Sequence, residues 1–60
     1  MYNKYYRVEW YGENPWGGCY SDSKRFEADE DAQMEEFIFA LAHKEGIYKI
    51  WKNTFEEIVF

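Results

Sequence analysis

Near its N-terminus the chain alternates apolar and polar positions, and from about residue 30 that alternation gives way to a helical period. Tyr6, Val8 and Trp10 alternate with Tyr5, Arg7, Glu9 and Tyr11, the two-residue period of a strand with one face turned to a core. Residues 2–11 are therefore expected as a strand. Tyr6, Val8 and Trp10 would face a helix, leaving Tyr5 and Tyr11 to flank Arg7 and Glu9 on the open side. In Asp29–Gly46 the apolar residues Met34, Phe37, Ile38 and Leu41, with Ala42 at the edge, recur at i, i+3, i+4 and i+7, which predicts an amphipathic helix. Asp29 is placed to cap its N-terminus, and Glu30 and Asp31 fall where the helix dipole favours acids. Lys44 lies in the last turn, and Gly46 can adopt the left-handed conformation that stops a helix.

Between these segments, Gly12–Gly18 reads as a turn and loop, with Pro15 fixing φ and two glycines permitting positive φ. Trp16 in that loop has two readings: a lid closing the end of the core, which is favoured, or an anchor for a partner. Cys19–Ala28 reads as an irregular return strand with Phe26 and Ala28 inward and Asp22–Arg25 exposed. After Gly46, Ile47–Lys52 and Phe55–Phe60 read as two strands joined at Asn53-Thr54, since Asn tolerates tight-turn geometry. On that pairing Ile47, Lys49, Trp51, Glu56, Ile58 and Phe60 share one mixed face. Tyr48, Ile50, Lys52, Phe55, Glu57 and Val59 share the other, and the pattern favours neither as the inward one. The expected fold is α+β: a single domain over residues 1–60, β-β-α-β-β, with a four-stranded antiparallel sheet and one helix on one face.

Composition alters that picture in two ways. A 60-residue chain buries only about 60% of its unfolded surface, so its core is small. Yet 23% of its residues are aromatic, with three Trp, six Tyr and five Phe. That is more ring area than one helix on one sheet can hide, and the surplus points to a partner or a second copy. Twelve acidic against seven basic residues give a net charge of −5. Such a charge opposes sequence-independent binding to the phosphate backbone and to anionic membranes. It suits solubility, and it suits a protein partner with a basic surface.

One cysteine, Cys19, has no internal disulfide partner. No apolar run approaches the roughly 18 residues of a membrane span, and the first residues lack a signal-peptide core. A cytoplasmic location is the expectation. Cys19 and His43 are the only nucleophile–base candidates, and nothing in the sequence specifies their contact. The acids of Glu27–Glu36 include an Asp-x-Asp at 29 and 31 but lack the glycine and closing glutamate of a calcium loop, so no metal and no cofactor is expected. Gly17-Gly18 has neither the spacing nor the lysine of a phosphate loop. Aromatic residues on an open sheet face are compatible with stacking of single-stranded nucleic acid, but a supporting basic groove is missing.

Phe39 departs from the helical stripe. At about 100° per residue it projects away from Met34–Leu41, on the side of Glu35, Glu36 and His43. A large apolar ring among acids is the pattern of a helical docking surface; the pattern equally suits a ring tucked under a loop or a terminal strand, or a single exposed aromatic with no role. The leading expectation is a non-enzymatic protein-binding module, a small acidic phage or mobile-element inhibitor that blocks a basic surface of a nucleic-acid-acting host protein. Its partner-binding residues would be Glu35, Glu36, Phe39, His43, Trp16 and Asp31, with no direct nucleic-acid binding and no membrane. The alternative is a small homodimeric structural or assembly protein whose exposed aromatics form the subunit interface.

Overall fold

A computed structural model describes residues 2–58. Strand β1 (Tyr2–Glu13) turns through a loop into β2 (Cys19–Glu27). A 3₁₀ turn (Ala28–Glu30) then leads into helix α1 (Asp31–Ala42), and the chain returns as β3 (Ile47–Ile58). The sheet has three strands in the order β2-β1-β3, with β1 antiparallel to both neighbours. The α+β class holds, but the four-stranded sheet does not: the segment expected to fold into a hairpin is one strand of 12 residues.

The reason lies in β1. That strand is also 12 residues long and offers a regular ladder from Tyr2↔Ile58 to Tyr11↔Lys49, continued past a bulge by Gly12↔Ile47. Asn53 and Thr54, read as a turn, sit in that ladder opposite Arg7 and Tyr6. Among the described residues none other than glycine has positive φ, so the tight-turn geometry that would suit Asn53 is not used. Tertiary pairing overrides a weak turn signal lacking Asn-Gly. The expected face assignment falls with the hairpin. A continuous strand puts Trp51 and Phe55 on the same side, and Ile50, Lys52, Thr54 and Glu56 on the other. The reading for Val59 and Phe60 lies outside the described residues.

Pairing skips one residue on β3 between Tyr11↔Lys49 and Gly12↔Ile47. This bulge resets the alternation, so Ile47 joins Ile50 on the helix side. Opposite Gly12 on β2 stands Tyr20. A Cβ built on Gly12 would collide with the Tyr20 ring, so glycine there is what lets the ring lie across the strand.

The core is formed by Val8, Phe26, Met34 and Leu41, with Tyr6, Trp10, Phe37, Ile38, Ile47 and Ile50 packed around it. The helical stripe and the inward set of β1 are thus as the periodicity predicts. Ala28 is not inward: it is exposed in the 3₁₀ turn. Nor does Asp29 cap the helix. The Glu27 backbone N–H instead donates to Glu30 Oε1 at 2.8 Å, and α1 begins two residues later than Asp29. The helix closes at His43, where the backbone N–H groups of His43 and Lys44 reach the carbonyls of Ala40 and Leu41. Gly46 has φ of 93° and its carbonyl accepts from Glu13 N–H at 2.8 Å. A Cβ at that position would meet the Glu13 carbonyl oxygen at 2.7 Å, so both backbone conformation and space demand glycine.

Candidate functional site

Two surfaces stand out: the outer flank of α1 and the open face of the sheet. Asp31, Glu35 and Phe39 follow at i, i+4 and i+8 and form a strip beside the buried stripe. Phe39 is 67% exposed. Its ring packs on the His43 ring at 4.3 Å between centroids, and His43 Nδ1 lies 2.8 Å from the Phe39 carbonyl oxygen. The two rings therefore form one exposed unit, fixed to the end of the helix. Glu35 is tied to β3 through Lys52 Nζ at 3.5 Å. Both partners are largely solvated, so the bond contributes at most a few tenths of a kcal/mol and leaves Glu35 available. Glu36 is exposed on the same outer side.

Trp16 does not join this group and does not close the core. It sits at the tip of the β1–β2 loop, 82% exposed, where Gly17 N–H donates to the Asn14 carbonyl and Asn14 N–H to the Gly18 carbonyl. These bonds shape the loop without turning the Trp16 side chain inward, so the expected lid is absent. Among the described residues Trp16 enters no ring–ring contact with Phe39.

The open face carries an arrangement that sequence reasoning missed. Tyr5 and Phe55 stack at 5.2 Å, tilted by 15°. The Arg25 guanidinium covers Tyr5 at 3.9 Å, and Arg7 lies 5.6 Å from Phe55. Lys49 sits over Trp51 at 4.8 Å, and Arg25 Nε also bonds Glu27 Oε1 at 3.0 Å. The alternation on β1 shows Tyr5 and Arg7 on this face. Their neighbours depend on β1 being the central strand, which local pattern does not disclose.

Cys19 is exposed at the start of β2, paired with Glu13 and hence on the open face. His43 lies on the helix side, so the sheet separates the two and no nucleophile–base contact forms between them. Among the described residues no group of three or more His, Cys, Asp or Glu is arranged to hold a metal ion. The hollow of about 500 Å³ between Glu13–Gly17 and Glu45–Tyr48 opens broadly to solvent, unlike the enclosed, apolar cleft of a small-molecule site. Among the described residues no helix is long and apolar enough to cross a membrane.

A scan against protein-family models finds no match, and searches among curated proteins and solved structures find none either.

Proposed function

We propose that the protein is a non-enzymatic interaction module that binds a basic surface of a larger protein through the outer flank of α1. The observation that supports this reading is Phe39, a ring two-thirds exposed yet held in place by His43. An immobilised aromatic residue offers a partner large apolar area at low entropic cost. Asp31, Glu35 and Glu36 around it supply the charge to steer toward Lys and Arg on the other side. Trp16 stands as a separate anchor on the loop. On this reading the module acts by occupancy, as an inhibitor of a nucleic-acid-acting protein encoded by a phage or mobile element.

The test is affinity capture from nuclease-treated bacterial lysate with the wild type, Phe39→Ala and Glu36→Lys side by side. A basic protein retained by the wild type should fall about tenfold or more with either variant. Equal retention by all three would remove the helix flank from consideration.

A further inference from the structure

We infer that the open face of the sheet is the contact surface for a second copy of this chain, packed face to face about a two-fold axis. The argument begins with a charge conflict. Arg7 and Arg25 stand directly opposite one another on adjacent strands, a like-charge placement that is unfavourable at cross-strand distance. Glu27 neutralises Arg25. Among the described residues no ion pair engages Arg7 or Glu9. Arg7 therefore lacks a carboxylate, and Glu9, on the same face two residues along, lacks a cation.

The order of residues along β1 resolves both deficits at once. On this face the central strand reads Tyr5, Arg7, Glu9, Tyr11. A two-fold axis that runs across the strands, between Arg7 and Glu9, reverses that order in the second copy. Arg7 of each copy then meets the second copy's Glu9, and Tyr5 meets the second copy's Tyr11. A two-fold axis along the strands would set arginine on arginine. The pattern is self-complementary in one orientation only, and that orientation is the aligned packing of a β-sandwich.

Size and composition agree. Three strands about 15 Å across and 40 Å long present on the order of 600 Å² per copy, or about 1,200 Å² in all, the lower limit of a stable interface. Tyr, Trp, Phe and Arg are the types enriched at such interfaces, and the face carries Tyr5, Tyr11, Trp51, Phe55, Arg7 and Arg25. Stacking has already ordered Tyr5, Phe55 and Arg25, which lowers the entropic cost of association. The net charge of −5 disfavours a phosphate backbone as the source of the missing anion. Helix α1 lies on the other side of the sheet, so its flank remains free in the dimer.

The experiment is light scattering coupled to size exclusion, across a concentration series, on wild type, Arg7→Glu, Glu9→Arg and an equimolar mixture of the two variants. Far-UV circular dichroism confirms that each is folded, and both positions lie on the surface. The wild type is expected to dimerise with a dissociation constant on the order of micromolar. Each single reversal places like charges together twice per dimer and should weaken association about 100-fold or more. In the mixture every Arg7–Glu9 contact is again between opposite charges, so a heterodimer of wild-type affinity should form. A wild type that stays monomeric at hundreds of micromolar (about 100-fold above the expected constant) would overturn the inference. So would single variants that dimerise as well as wild type, or folded variants that fail to pair in the mixture. Added oligonucleotide that binds the wild type through Arg7 while the protein remains monomeric would assign the face to nucleic acid instead.

Discussion

On the helix side of the sheet, Val8 and Phe26 are sealed under Met34 and Leu41. On the opposite side of the same sheet, Tyr5 and Phe55 stack on each other and lie under Arg25 and Arg7. The first face removes apolar area from water by packing. The second keeps its rings half in water and satisfies them with cations and with one another. Both faces come from one alternating pattern on β1, so the difference arises from what each face meets rather than from the strand itself. A single 12-residue helix can seal only one of them.

The sharpest break of this comparison is Met34→Ala. Met34 is 1% exposed, and deleting a buried methionine side chain costs about 2–5 kcal/mol. A core this small supplies only about 3–5 kcal/mol in total, so much of the variant population should be unfolded at room temperature. Urea denaturation followed by circular dichroism reads the effect. A loss below about 1 kcal/mol would mean that Met34 is not enclosed as described.

Phe55→Ala is the matched change on the other face. Phe55 is 37% exposed and loses a stacked Tyr5 and a nearby Arg7. The expected cost to the monomer is about 1 kcal/mol, measured at a dilution where association contributes nothing. A cost equal to that of Met34→Ala would show the open face to be a second core rather than a surface.

That comparison also separates what could be read from the sequence from what could not. Tyr6, Val8 and Trp10, and Met34 through Leu41, announce their faces because burial imposes a period on a single segment. The sequence reading also singled out Phe39, since its angle on the helix is fixed by local geometry. The single strand β3 was not legible, because Asn53-Thr54 carries a turn signal that only the length of β1 overrules. Trp16 misled for a related reason: its size argues for burial, while the backbone bonds of its loop hold it outward. The Lys52–Glu35 pair and the Tyr5–Phe55 stack depend on strand order, and no local pattern encodes which strand lies between two others.

Tyr2 asks whether burial follows the face or the reach of the helix. It lies on the helix side of β1, in register with Ile58. A 12-residue helix is about 18 Å long and cannot cover a strand of about 40 Å. Tyr2 is accordingly 63% exposed, although Tyr6 on the same face packs against the core. The Glu56 carboxylate raises the pKa of its phenol above the ordinary value, chiefly through hydrogen bonding to the neutral form, with lesser effects of desolvation and of the same negative charge. The folded state therefore favours the neutral phenol. That contribution is fully present below the unfolded value of about 10 and is lost as pH rises through the higher folded value. Tyr2→Phe should leave stability at neutral pH nearly unchanged, as expected at a solvated site. In an alkaline absorbance titration, the difference between wild type and variant should be one phenol ionising above the ordinary range. If the missing phenol instead titrates at its ordinary value, the Glu56 bond does not persist in solution. The strand end beyond the helix would then behave as free surface on both sides.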